Sequence, residues 1–154
     1  MKYRSDFVTN SSSSSFVIAF KDFPRAPKEL IEQYPYLKLF EGFCEMIMTE
    51  DNFGESRAAD IVYNKEELDK YFIQKYDYYA RYNEETDEVE YGTLKEILDG
   101  DDYLKEKYDI CIKEIEKGYR LLFKEVDYED TRTNNLFDLL SYTDGFDFKI
   151  VSRY

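Results

Sequence analysis

Histidine is absent from the 154 residues, and no other feature removes as much chemistry. Without imidazole there is no Ser-His-Asp or Cys-His nucleophile and no His-ligated zinc or iron centre. There is also no side chain that ordinarily titrates near neutrality. Cysteine is scarce: Cys44 and Cys111 stand far apart and form no CxxC pair, so the common zinc and thiol-redox motifs are excluded. Both lie among apolar neighbours, Phe43-Cys44-Glu45-Met46-Ile47 and Ile110-Cys111-Ile112, as small buried hydrophobes do. Basic residues are few, 21 Lys and Arg against 34 Asp and Glu, for a net charge of −13. That charge disfavours direct contact with nucleic acid or an anionic membrane and favours a basic protein partner. No stretch is long and apolar enough for a signal peptide or a transmembrane helix, so the cytoplasm is the expected location.

What is present is enough to fold. Hydrophobic residues make up 43% of the chain, too many for a disordered protein despite 36% charged residues. The length suits one domain over residues 1–154, with residues 1–15 as a flexible lead-in. Aromatics are plentiful but uneven, with 16 Tyr, 12 Phe and no Trp. Tyrosine-rich surfaces bind proteins well because the ring is rigid and amphipathic. A/T-rich coding produces the same bias without any selection for binding.

The most distinctive segment is Asn10 followed by Ser11, Ser12, Ser13, Ser14 and Ser15, which turns abruptly apolar at Phe16-Val17-Ile18-Ala19-Phe20. Five serines cannot bury apolar surface and read as a solvated loop, yet Phe7-Val8 precedes them and Phe16 follows. With Met1-Lys2-Tyr3-Arg4 at the front, the opening resembles that of a group of uncharacterised bacterial and phage proteins. Their pattern is M-K-x-R-x-x-F-V-S-N-S-S-S-S-S-F, with Thr9 here in place of a Ser. The likeness covers residues 1–20, and proteins that share it differ afterwards. It implies a segment that some common factor recognises, modifies or cleaves, comprising Arg4, Phe7, Asn10, Ser11 to Ser15 and Phe16.

Periodicity and caps predict an α+β fold, with central helices packed on a small, mainly antiparallel sheet. One N-terminal strand (15–20) and two C-terminal strands (119–128 and 146–151) supply that sheet. Helices are expected from Pro27 to Pro35, over 36–48 with Leu37, Phe40, Cys44, Ile47 and Met48 on one face, and after Asn64, whose capping partner is Glu67. The last of these carries an aromatic stripe out to Tyr82. Thr93 caps a short helix that ends at Gly100, Asp101 and Asp102 open a longer one that stops at Gly118, and a short helix spans 136–140. Residues 83–91 read as an acidic connector.

Carboxylate clusters are the remaining candidate chemistry. Residues two apart on a strand share a face, so Glu125, Asp127 and Glu129 could converge on Mg²⁺ or Ca²⁺ as the centre of a metal-dependent phosphoesterase. A charged strand edge that resists aggregation explains the same residues. The serines lack the glycines and lysine of a phosphate-binding loop, and a serine nucleophile would need a lysine as its base. No catalytic residue and no cofactor is therefore assigned. Three functions are compatible with the sequence: a non-enzymatic interaction or accessory protein of a bacterium or its phage, an acidic inhibitor that covers a nucleic-acid-binding surface, and the carboxylate metal enzyme.

Overall fold

Phe16 to Phe20 is a continuous apolar run, and both faces of the strand it forms are covered. The computed structural model describes residues 13–51, 57–77, 80–143 and 146–153. Strand β1 (Ser13–Phe20) pairs antiparallel with β5 (Arg120–Asp127) on one side and with β6 (Phe148–Arg153) on the other. A short strand, β2 (Asp60–Val62), adds to the outer edge of β5, for a sheet order β2-β5-β1-β6. The register sets Phe16 opposite Lys124 and Phe20 opposite both Arg120 and Phe148, with an irregularity in the β1–β6 pairing at Val17/Ile18.

Alternation along the strands divides the core in two. Phe16, Ile18, Phe20, Leu122, Val126 and Phe148 project from one face and pack against Met48 of helix α2 (Leu37–Thr49) and Phe137 and Leu140 of α6 (Thr131–Tyr142). Val17, Ala19, Leu121 and Phe123 project from the other. They meet Leu68 and Phe72 of α3 (Lys65–Tyr76) and Tyr108 and Cys111 of α5 (Asp102–Glu116). The antiparallel sheet is thus covered by helices on both sides, which is why its central strand reads as uninterrupted hydrophobe and not as alternation. Each of the large side chains contributes about 1.5–3 kcal/mol by leaving water. Phe16 and Phe137 meet edge-on with ring centroids 5.1 Å apart.

The α+β class is as expected, and several caps lie where the sequence puts them. The Asn64 side chain accepts from the Glu67 amide, Thr93 and Glu96 form a complete capping box on α4 (Leu94–Gly100), and Asp101 accepts from the amides of Tyr103 and Leu104. Gly118, at φ 85°, takes the left-handed turn that ends α5.

Other elements differ from expectation. The first strand starts earlier than the expected Ser15: Ser13 and Ser14 also belong to β1, and Ser13, Ser14 and Ser15 pair with Asp127, Val126 and Glu125, because β5 extends far enough to satisfy their backbone groups. Helix α3 stops at Tyr76, and Tyr82 lies instead in a separate two-stranded hairpin, β3 (Arg81–Asn83) and β4 (Glu88–Glu90), whose turn and second strand fall in the stretch expected to be a connector. Its turn is built by side chains. Asn83 Oδ1 accepts from the amides of Glu85 and Thr86, the Tyr82 hydroxyl donates to Asp87, and Asp87 adopts φ 58°. Asp77 accepts from the Gly92 amide, an approach that a side chain at Gly92 would crowd, since an added Cβ would lie 3.3 Å from Asp77 Oδ2. Helix α6 begins at Thr131 and not at Leu136, because Asp130 caps it through the Thr133 amide and hydroxyl. The short helix α1 (Lys28–Gln33), by contrast, lies within the expected span from Pro27 to Pro35 and precedes α2.

Candidate functional site

Helix α2 is apolar around most of its circumference, and only one arc of it faces the core. Ile47 and Met48 are buried, Leu37 and Cys44 are half-buried, and Glu41 accepts from the Ala26 amide at 2.8 Å to tie the preceding turn to the helix. The opposite arc carries Leu39, Phe40 and Phe43 at 77%, 57% and 49% exposure, with Tyr36 and Met46 exposed beside them. Phe40, expected on the inward face, points outward. Tyr34, Tyr36 and Phe40 continue the surface as a ladder of rings with centroids 5.9 and 6.3 Å apart. Isolated exposed hydrophobes are ordinary, but a contiguous stripe of this size marks a contact surface. Each large side chain left in water forgoes about 1.5–3 kcal/mol of burial.

Gly42 lies on the same helix, next to this stripe. Glycine in a helix interior costs about 1 kcal/mol relative to alanine. Nothing lies within 4 Å of a Cβ built there, so no packing among the described residues calls for it. Lys38 and Glu45 border the stripe beyond Gly42, and neither has an ion pair with any described residue.

The segment singled out by sequence divides at Ser13. Arg4, Phe7, Asn10, Ser11 and Ser12 lie outside the described residues. Ser13 to Ser15 are strand, and Phe16 is 1% exposed in the core. Phe16 therefore anchors β1 and is not presented on the surface.

The carboxylate trio does not converge. Glu125 is held by Arg57 at 3.1 Å and Lys75 at 3.5 Å. Asp127 ends β5 and accepts from the Glu129 amide at 2.9 Å, which closes a turn and carries Glu129 past the strand, where it is exposed. Among the described residues no three Cys, Asp or Glu side chains are placed to hold a metal ion.

Beside Glu125 is a small cavity of about 80 Å³, lined by Ser15, Arg57, Lys75, Tyr76, Lys107 and Glu125 among others. Lys107 donates to the Tyr76 hydroxyl at 2.9 Å. With Glu125 already between Arg57 and Lys75, the cations have an internal counter-ion. The space is well below the roughly 300–1,000 Å³ of a small-molecule site. Of the two thiols, burial pushes Cys111 up to about 12, which leaves it without thiolate at neutral pH.

Compared with protein families, curated proteins and solved structures, the chain matches none of them. Among the described residues no helix is long and apolar enough to cross a membrane.

Proposed function

We propose that this chain acts by binding a protein and not by catalysis, as an interaction or accessory protein of a bacterium or its phage. The outer face of α2 is its contact surface. A single observation carries this: Leu39, Phe40 and Phe43, with Tyr36 and Met46, form one apolar stripe that the rest of the described chain leaves in solvent. The N-terminal segment up to Ser12 keeps the role its resemblance implies, a stretch that a shared factor recognises or modifies. Ser13 to Ser15, being strand, serve to attach that segment to the sheet.

The test is photo-cross-linking in the cells that make the protein, with a photoreactive amino acid at Leu39 and, as a control, at exposed Tyr128 just past β5. A discrete protein adduct from position 39 that position 128 does not give is the expected result. Equal and diffuse labelling from both positions would end the proposal.

A second reading has its own observation. The β3–β4 hairpin carries Glu84, Glu85, Asp87, Glu88 and Glu90 around one tight turn, a concentration of charge suited to a basic surface. A complex made through it would weaken steeply with salt and with reversal of Glu84, Glu85 and Glu88 to lysine.

A further inference from the structure

We infer that the occupant of the α2 face is α2 of a second copy of this chain, packed antiparallel across a two-fold axis level with residues 41–42. This rests on α2 being a contact surface, as proposed above. The exposed positions Tyr36, Leu39, Phe43 and Met46 are spaced three, four and three apart, the spacing of a seam between two helices. Phe40 and Ile47 border the seam on one side, Gly42 and Thr49 on the other. The small residues on that second side allow a facing backbone to come close, which supplies the reason for Gly42 that the chain's own packing lacks. In an antiparallel pair Leu39 meets Phe43 of the second copy, and Tyr36 meets Met46.

Charge selects this arrangement. Lys38 and Glu45 are seven residues apart, two turns along the same line of the helix. A two-fold axis between them brings Lys38 of each copy opposite Glu45 of the other, twice over, and gives both groups the partner they lack among the described residues. Parallel pairing would instead set Lys38 against Lys38 and Glu45 against Glu45. A two-fold contact has to be self-complementary, and this face is, in both size and charge. The stripe also has to outweigh repulsion between two chains of net charge −13, so burial of its aromatics is the dominant attraction.

Sedimentation equilibrium of the full chain, from low to high micromolar concentration, tests the inference. The expected mass rises toward twice the 18.6 kDa of one chain. Leu39→Glu and Phe43→Glu should give monomers that still unfold cooperatively, melting like the wild type at concentrations where it too is monomeric, since both side chains are exposed in the single chain. Lys38→Glu and Glu45→Lys should each weaken the dimer roughly tenfold, and the two combined should restore most of the affinity. Should a stripe variant fail to fold, Gly42→Gln, which favours the helix but adds bulk at the close approach, must still weaken the dimer. A wild-type chain that stays monomeric, or a dimer indifferent to Leu39→Glu and Gly42→Gln, overturns the inference. If the chain is monomeric while position 39 cross-links to a different protein, the second copy is excluded and the contact-surface proposal stands. If position 39 gives no specific adduct, both fall.

Discussion

Lys124 is 2% exposed and belongs to the sheet face that otherwise holds Leu122 and Val126, yet it is not an error in the apolar pattern. Its ammonium donates to the carbonyls of Glu50 and Arg57 at 2.6 and 2.7 Å, on either side of the connection from α2 to β2. Burial lowers its pKa, while the nearby carboxylates of Asp130, Asp51 and Glu50 act in the opposite sense. The lysine therefore fastens the two described ends of this connection to the sheet. Lys124→Met keeps the volume but leaves two carbonyls without their donor, and should cost about 1–3 kcal/mol. The loss should be local as well as global. Hydrogen exchange at the Arg57 and Ala59 amides, which bond to Glu125 and Thr49, should quicken more than at Leu121 or Val17. Uniform acceleration would show that the fastening role is wrong.

At the scale of elements, the two cysteines report on how differently α2 and α5 are seated. Cys44 is half-buried on α2, whereas Cys111 is fully buried beneath α5. A thiol reagent applied to the native protein should modify Cys44 alone, slowly because burial raises its pKa, and should reach Cys111 only with unfolding. Simultaneous modification of both would mean that α5 opens as readily as α2. The same contrast explains what could be read in advance. Helices α3, α4 and α5 were legible because Asn64, Thr93 and Asp101 are caps with local geometry, independent of anything distant. The three residues of β2 are too few to show alternation, and β3 and β4, Arg-Tyr-Asn and Glu-Val-Glu, owe their pairing to the Asn83 and Asp87 turn rather than to hydrophobicity. The polar start of α6 read as a turn because Asp130 is recognisable as a cap only once Thr133 is helical. The candidate site was the least visible. A helix bearing Leu37, Leu39, Phe40, Phe43, Cys44, Met46, Ile47 and Met48 is apolar on more than one face, and the sequence does not choose which face turns inward. The usable signal was that excess itself, a stripe wider than one core contact needs.

For the molecule as a whole, acidity is both a property and a load. Most of the carboxylates are at the surface, but Glu114 on α5 is only 7% exposed. Burial alone would raise its pKa; the ammonium groups of Lys149 on β6 and Lys117 outweigh that and hold it below the ordinary 4.5. The folded state therefore binds this proton less readily than the unfolded chain. The stabilisation is complete above pH 4.5 and is lost as the pH falls through the lower, folded value. Chemical denaturation in the acid range should show a shallower dependence on pH for Glu114→Gln than for the wild type. Curves of equal slope would place the acid sensitivity elsewhere.

The position of β1 has a consequence for biosynthesis. It is an interior strand, and both of its neighbours, β5 and β6, come from residues beyond 119. Pairing of this kind joins residues a hundred or more apart, and contacts so distant in sequence form slowly. While the ribosome is still making the helices, Phe16-Val17-Ile18-Ala19-Phe20 has no strand to join. A nascent chain thus carries an unpaired apolar, β-prone pentapeptide until β5 and β6 have been made, the kind of segment that holding chaperones engage and that aggregates when they are saturated. The five serines immediately ahead of it, hydrophilic and poor in hydrophobic partners, then act as a solubilising leader during the interval in which the fold does not yet exist.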